Sequence, residues 1–346
     1  MTDFNQMILP NIELSNATIY ISTNVHYLFD RVAKTLSVLK YPYTFEATYL
    51  IVSVPNFELL ITEILEGEFF DALEMKEIHI LPVERDISLD FNLFKRTKTL
   101  LYWTTFSQNK DLIYILKKQR IVTLFQPVVS VDNLDIIGYE AYSKGLKPGG
   151  LYLSAQSLFE NAAKLDLLSI LDVQCLESAS QHAAELKMNK LLFLNFCPNA
   201  ILDPKESFKS TTATIHEHQL NPKNIIFESV DTERLQGYSH LNAIFEYLNS
   251  EGYQTALDDV GGHFSTIEPF HKLAPSYVKV DMKIIRNIHL EQSHQVLLKR
   301  ILRLKSLYGI AIIAKDVETL EEFNYLKTSG VDFMQGFYFG KPKLTL

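Results

Sequence analysis

The feature that most constrains the fold is a regular alternation of short apolar runs and helix-sized segments, from about residue 120 to the end of the 346-residue chain. The strand candidates are VTLFQPVVSV (122–131), LDIIGYEAY (134–142), KLLFLNF (190–196), NIIFESV (224–230), YQTALDDV (253–260), SYVKVD (276–281), IAIIAKD (310–316) and DFMQGFYFG (332–340). Eight strands over about 225 residues are typical of a β/α barrel. A doubly wound open sheet normally begins with a glycine-rich phosphate turn, which this sequence lacks. The pattern therefore favours a β/α barrel over the open sheet.

The first hundred residues predict a smaller α/β domain. Strands are expected at 17–22, 49–55 and 77–83. The helices between them are expected to begin at the N-caps Asn24 and Asn56, and the second carries apolar residues as far as Leu73. This β-α-β-α-β order favours a mixed or parallel sheet. We place the boundary near residue 105, with a regulatory or interaction domain over 1–105 and a barrel over 106–346. A packing domain that binds no ligand is an equally open interpretation of 1–105.

The charge of the chain excludes one class of partner. The sequence has 33 basic and 41 acidic side chains, and its first hundred residues hold 14 acidic and 8 basic ones. A net charge of −8 argues against binding to a DNA or RNA polymer, which needs clustered lysine and arginine. No apolar run reaches the ~18–20 residues of a membrane span, and the N-terminal sequence shows no secretory signal. We therefore expect a cytoplasmic protein.

Polar residues follow the apolar part of most predicted barrel strands. They are Glu140, Asn195, Glu228, Asp258, Asp259, Lys279, Asp281, Lys315, Glu318 and Gln335. The carboxyl ends of barrel strands converge on one mouth, so these side chains are expected in one cavity. Crowded carboxylates repel unless a cation is present, and oxygen ligands suit Mg²⁺ or Mn²⁺ rather than zinc. The adjacent Asp258 and Asp259 are suited to bridging two metal ions, and Lys279 can hold a phosphate oxygen. The set suggests metal-assisted phosphodiester chemistry.

Several of these residues also have a structural interpretation. Asp281 precedes a predicted helix and fits an N-cap, and Glu318 can simply favour a helix dipole. Gln335 could satisfy a turn, and Asn195 could hydrogen-bond a loop. Because the polar residues recur at strand ends, we favour function for the set as a whole.

Seven segments of the second part follow, in order, the motifs of one known family. They are LFQPVVSVDNLDIIGYEAYSKG, LYLSAQSLFENAAKLDLLSILDVQCLESA, LFLNFCP, IIFESVD, ALDDVGGHFS, YVKVD and IAKDVETLEEFNYLKTSGVDFMQGFYFGKP. These segments resemble the EAL domain of bacterial cyclic di-GMP signalling. The resemblance implies a TIM-like barrel with one antiparallel strand, commonly assembled as a homodimer. It also implies cyclic di-GMP as ligand, with Mg²⁺ or Mn²⁺ supporting hydrolysis to linear pGpG.

The resemblance assigns roles by position. The family's metal ligands match Glu140, Asn195, Glu228, Asp258 and Asp259; its catalytic lysine matches Lys279; the second glutamate of its AEGVE motif matches Glu318; and ligand-binding positions match Gln126, Glu140, Lys144 and Gln335.

Departures from the family motifs also fall in the site. They are Tyr142 for the leucine of EAL, Lys144 for an arginine, Asp231 for the second glutamate of ExxE in a supporting loop, Gly262 and His263 for threonine and glycine, and Lys315 and Asp316 for the first glutamate and the glycine of AEGVE. Tyr142 is interpreted as a packing change, and Lys144 keeps the charge but loses the bidentate fork of arginine. Lys315 inverts a charge at the metal mouth, because an ammonium group cannot bind Mg²⁺. It could pair with Glu140, Glu228 or Asp258, or it could point to solvent.

Three functions stay open from the sequence. We favour a degenerate EAL protein that binds cyclic di-GMP or a protein partner and hydrolyses little, because losing a group that positions the reacting water costs ~10²–10⁴ in rate. The retained acidic residues and Lys279 support an active phosphodiesterase. A scaffold that binds no nucleotide is the third function. The acidic first hundred residues suggest a basic protein partner, although a solvated acidic face explains them as well.

Overall fold

The computed structural model describes residues 9–46, 48–84, 91–229, 238–261 and 268–346. The chain forms two compact units. The first runs to Lys117 and includes Glu160–Asp166, and the second comprises Lys118–Phe159 and Leu167–Leu346. The boundary predicted near residue 105 lies within the helix Leu100–Gln108 of the first unit.

The elements of the first unit alternate between strands and helices. They are β1 (Ser15–Ser22), α1 (His26–Val38), β2 (Tyr43–Glu46), β3 (Tyr49–Asn56), α2 (Phe57–Glu66), α3 (Ala72–Glu77), β4 (His79–Glu84), α4 (Phe91–Phe94), β5 (Lys98–Thr99), α5 (Leu100–Gln108) and α6 (Lys110–Lys117). Alternate residues of β1 are buried, as expected for a strand with one covered face. Trp103 of α5 packs edge-on against Phe57 of α2 with ring centroids 5.0 Å apart, and both side chains are buried.

The sheet of this unit is antiparallel, so the predicted mixed or parallel sheet is wrong. Its strand order is β2-β3-β1-β4-β5, and all four pairings are antiparallel. The sequence pattern did not reveal β2, which reverses the chain before β3. Three of the four β2 residues are exposed, so the segment lacks the apolar alternation that marks a half-buried strand.

The predicted helix caps have different outcomes. The N-cap Asn56 is confirmed, because its side chain accepts a hydrogen bond from Leu59 N at 3.0 Å. The N-cap Asn24 is wrong, because Val25 occupies that position without a side-chain cap. The helix predicted to reach Leu73 is two helices, because α2 ends before Gly67 and α3 begins after the capping residue Asp71.

The remaining elements belong to the barrel unit, except that the last five residues of their first helix, 160–164, belong to the first unit. They are β6 (Ile121–Ser130), β7 (Ile136–Leu146), β8 (Tyr152–Leu153), α7 (Ala155–Lys164), α8 (Leu168–Glu185), β9 (Leu191–Phe196), α9 (Pro204–Ser207), α10 (Lys209–Glu217), β10 (Ile225–Ser229), α11 (Ser239–Ser250), β11 (Gln254–Val260), α12 (Glu268–Leu273), β12 (Tyr277–Val280), α13 (Met282–Ile285), α14 (Gln292–Tyr308), β13 (Ala311–Ala314), α15 (Leu320–Lys327) and β14 (Phe333–Gln335). Across the ranges given above, the helices include none that is long and apolar enough to cross a bilayer.

Eight strands close the barrel, as the sequence predicts. The strands from β7 through β9 to β14 pair in parallel in chain order, with the short β8 set aside. The first strand, β6, is antiparallel to both β7 and β14 and completes the circle. The predicted TIM-like barrel with one antiparallel strand is therefore confirmed. The short β8 extends the sheet beside β7.

The barrel interior is layered. A buried apolar layer consists of Val128, Phe193, Ile226, Ala256 and Ile313. Side chains two residues apart on a strand share a face, so the next interior layer toward the mouth is polar. The polar layer contains Gln126, Asn195, Glu228, Asp258 and Lys315, each two residues from a member of the apolar layer. The period of the strands thus brings polar residues from distant parts of the sequence to one mouth.

Candidate functional site

A buried lysine contacts two glutamates, one of which belongs to the polar layer. Lys279 of β12 is fully buried. Its Nζ lies 2.5 Å from Glu140 Oε2 and 2.6 Å from Glu228 Oε2. The ammonium group also stands 5.1 Å from the ring centroid of Phe193 in the apolar layer. The ammonium group therefore contacts an aromatic ring of the apolar layer as well as both glutamates.

Three amide side chains extend this network. Asn195 Nδ2 donates to Glu140 Oε1 at 2.9 Å, and Gln335 Nε2 donates to Glu140 Oε2 at 2.8 Å. Gln335 Nε2 also lies 3.2 Å from Gln126 Oε1, and Gln126 Nε2 donates to the carbonyl of Gly340 at 3.0 Å. Protein donors therefore bind both oxygens of Glu140.

A second lysine neutralises the adjacent aspartates. Lys315 Nζ lies 2.8 and 2.9 Å from the two carboxylate oxygens of Asp258, and 2.5 Å from Asp259 Oδ1. The Lys315 side chain is 16% exposed, so it points into the site and not to solvent. Of the partners the sequence left open for Lys315, the structure shows Asp258.

Burial and charge shift the pKa values of these groups in different directions. Burial raises the pKa of Glu140, but the Lys279 ammonium and the Asn195 amide outweigh it and lower that pKa to about 2. Burial, together with the neighbouring negative charges, holds the pKa of Glu228 well above its ordinary value despite Lys279. Burial lowers the pKa of Lys315, but Asp258 and Asp259 outweigh it and raise that pKa. Burial likewise lowers the pKa of Lys279, but the neighbouring carboxylates outweigh it and raise that pKa, so both lysines stay charged.

The donor set has the chemistry of a divalent-cation site, but its present arrangement does not fit one. Glu228 Oε1 is buried and has no hydrogen-bond partner within the described chain, as expected for an oxygen that could face a cation. Asp258 and Asp259, however, already hold the Lys315 ammonium group. Among the described residues, the acidic, histidine and cysteine side chains form no group of three or more arranged around a metal position. In this structure the adjacent aspartates are therefore paired with an ammonium group.

Two predicted residues lie away from this cluster. The Glu318 carboxylate accepts a hydrogen bond from Arg286 Nη1 at 2.8 Å and is 41% exposed. Arg286 thereby lowers the pKa of Glu318. Asp281 Oδ1 accepts from Lys283 N at 2.8 Å and caps α13, which is the structural role considered for it.

Other sequence assignments fall at the edge of the site or outside the described residues. Lys144 Nζ lies 5.9 Å from the ring centroid of Tyr152 in β8. The loop residue Asp231 and the altered positions Gly262 and His263 lie outside the described residues.

The structure adds a site residue that the sequence pattern assigned to packing. Tyr142 lies two residues beyond Glu140 on β7 and hydrogen-bonds with it. Burial, followed by the charges of Glu140, Glu228 and Asp258, raises the pKa of Tyr142. The two-residue period of the strand was the available signal, because it places Tyr142 on the same face as Glu140.

The loop that carries Lys315 is pressed against the end of β14. Val317 N donates to the Gln335 carbonyl at 2.9 Å, and Tyr338 N donates to the Val317 carbonyl at 3.1 Å. A Cβ atom on Gly336, where φ is +157°, would lie 2.1 Å from Val317 O and 2.3 Å from Val317 N. Only glycine allows this approach.

We expect Gly336→Ala to destabilise the protein by about 1–3 kcal/mol, because one backbone must move away from the other. Urea unfolding measures the loss. Gly309→Ala is the control, because φ there is +69° but no atom lies within 4 Å of the added Cβ. If the two variants lose equal stability, backbone strain alone accounts for the loss at Gly336 and the clash with Val317 contributes nothing.

The fold and the site together define a β/α barrel with a carboxylate–lysine cluster at its mouth. The EAL domain model matches residues 109–342. The chain therefore belongs to the EAL domain family, as its motifs predict.

The descriptions of two similar proteins mention cyclic di-GMP. Probable cyclic di-GMP phosphodiesterase PdeG of Escherichia coli is 26% identical over 227 residues, which cover 64% of this chain and 44% of the relative. The chain thus spans less than half the length of this relative. A standalone EAL protein from Vibrio cholerae, solved with cyclic di-GMP bound, is 36% identical with a TM-score of 0.59, and the match covers 65% of this chain and 94% of that one.

A third similarity extends over most of the chain. Klebsiella pneumoniae BlrP1, solved with calcium and cyclic di-GMP, is 17% identical with a TM-score of 0.59, and the match covers 95% of this chain and 96% of that one. BlrP1 was also solved with manganese and cyclic di-GMP. At this identity the similarity shows the fold alone.

Proposed function

We propose that this chain is a degenerate EAL-domain signalling protein that binds cyclic di-GMP and hydrolyses it weakly or not at all. The observation that carries the proposal is the position of Lys315, whose ammonium group contacts both oxygens of Asp258 and one of Asp259. An ammonium group there repels a divalent cation. The Mg²⁺ or Mn²⁺ expected from the family is therefore excluded, and metal-assisted attack of water is lost.

Binding of cyclic di-GMP requires fewer groups than its hydrolysis, because no water has to be activated. Lys144, which follows Glu140 on β7 and is not held by a carboxylate in the contacts described above, is the cation proposed for the phosphates of a cyclic dinucleotide. Tyr152 and the half-exposed Phe337, which follows Gln335, offer aromatic surfaces for its bases. The Vibrio cholerae relative, solved with this nucleotide bound, supports the same ligand class.

Incubation of the purified protein with cyclic di-GMP and Mn²⁺, followed by chromatography, tests the loss of hydrolysis. We expect no pGpG above a no-protein control. Calorimetry with and without Mn²⁺ tests binding, and we expect the same affinity in both, because Lys315 replaces the cation. Turnover at ordinary rates would identify an active phosphodiesterase instead. A flat titration would leave the nucleotide-free scaffold.

The finer sequence assignments belong to this proposal. The first unit is proposed as the regulatory or interaction domain and the barrel as the nucleotide-binding domain. The homodimer, a protein partner of the first unit and the cytoplasmic location stay predictions.

A further inference from the structure

Three side chains from two helices hold the backbone that follows β9. This anchored segment, Cys197–Ala200, begins two residues after Asn195. Its first N–H donates to Asp172 Oδ1 at 3.0 Å, and its last carbonyl accepts from Ser169 Oγ at 2.7 Å. The carbonyl of its second residue lies 3.1 Å from His240 Nε2. Ser169 and Asp172 belong to α8, and His240 belongs to α11.

Asp172 is an unusual acceptor for a backbone N–H. Its side chain is 1% exposed, and its Oδ2 has no hydrogen-bond partner among the described residues. Burial raises its pKa to about 8, although the bond from the anchored segment opposes that shift. Burying a carboxyl group costs free energy that a single hydrogen bond offsets only in part. The packing of α8 alone therefore does not explain this residue.

Asn195 needs a fixed backbone behind it. Its Nδ2 donates to Glu140 Oε1 at 2.9 Å and to the Ala141 carbonyl at 3.3 Å, so its amide joins β9 to the middle of the neighbouring strand β7. Asn195 is the last residue but one of β9, and the strand gives no support beyond Phe196. Pairing with β10 holds the strand as far as Phe196, and the anchored segment fixes the chain directly after it.

We propose that Asp172, supported by Ser169 and His240, is a positioning residue that holds the Asn195 amide against Glu140. Asp172 touches neither Glu140 nor Lys279 in this network, so it acts through the backbone of the anchored segment.

NMR of the Asn195 side-chain amide tests the proposal directly. The resonances are assigned by their loss in Asn195→Ala. We expect them to move in Asp172→Ala and to return to their wild-type positions in Asp172→Asn, which keeps the acceptor oxygen. Ser180→Ala is the matched control, because Ser180 is a fully buried polar residue of the same helix whose hydroxyl donates to the Leu176 carbonyl within that helix.

Nucleotide affinity is the second readout, and it rests on the proposed function. We expect Asp172→Ala to weaken cyclic di-GMP binding about 5–10-fold, and Asp172→Asn and Ser180→Ala to stay within about twofold of wild type. If Asp172→Ala does not fold, Ser169→Ala and His240→Ala are measured in its place. Unmoved Asn195 resonances in a folded variant would overturn the proposal. A flat wild-type titration would refute nucleotide binding, and the NMR result would still decide the role of Asp172.

Discussion

Replacing Lys315 with glutamate should raise cyclic di-GMP hydrolysis by at least ~10²-fold in the presence of Mn²⁺. The substitution removes the ammonium group from Asp258 and Asp259 and adds a carboxylate where the family has one. The oxygen ligands are then free to bind a divalent cation. Without a cation, the added negative charge should destabilise the barrel, because neighbouring carboxylates repel one another.

Two measurements check this expectation independently. Chromatography of pGpG follows the reaction, and thermal unfolding with and without Mn²⁺ follows metal binding, because an ion that binds only the folded protein raises its stability. Lys283→Glu is the matched control, since it makes the same charge change on a side chain that is 75% exposed. The prediction is wrong if Lys315→Glu gains neither turnover nor stability from Mn²⁺, or if the wild type already turns over as fast.

The barrel could be predicted from sequence because every one of its strands is an apolar run bounded by turns or helices. The sheet of the small unit is predicted less accurately. Its edge strand β2 is mostly exposed, so it lacks the apolar pattern by which a strand is predicted. Without β2, β3 is expected to run in the same direction as β1. Overlooking this one short strand therefore leads to the prediction of a mixed or parallel sheet, whereas the observed sheet is antiparallel.

The site shows a similar division. Strand periodicity predicts that Glu140, Glu228 and Lys279 share the mouth, because each follows the apolar part of a barrel strand. No comparable periodicity predicts which way a long side chain on a loop points. Lys315 turns inward to Asp258, 57 residues earlier in the sequence, and Glu318 turns outward to Arg286, 32 residues earlier. Both contacts depend on how the loop after β13 packs, so sequence could propose partners for Lys315 but could not choose among them.

Replacing Lys279 with methionine should cost about 3–5 kcal/mol of stability at neutral pH. Methionine fills similar volume but leaves Glu140 and Glu228 buried without the cation that they share. Without that cation, burial raises the pKa of Glu140 above its unfolded value and raises the pKa of Glu228, which is already high, further still. Stability should therefore recover as the pH falls below these raised pKa values, because the folded protein then binds more protons than the unfolded chain.

Urea unfolding across a pH series measures this effect, and Lys305→Met is its control. Lys305 Nζ lies 2.5 Å from Asp332 Oδ1, at the same distance as Lys279 Nζ from Glu140, but the Lys305 side chain is 43% exposed. A surface pair contributes only ~0–1 kcal/mol, so the two variants separate burial from distance. Adding Glu140→Gln or Glu228→Gln to Lys279→Met should restore part of the loss, because each removes one uncompensated charge. Equal losses in the two lysine variants, or no rescue by either glutamine, would contradict the charge balance that Lys279 and Lys315 give this barrel mouth.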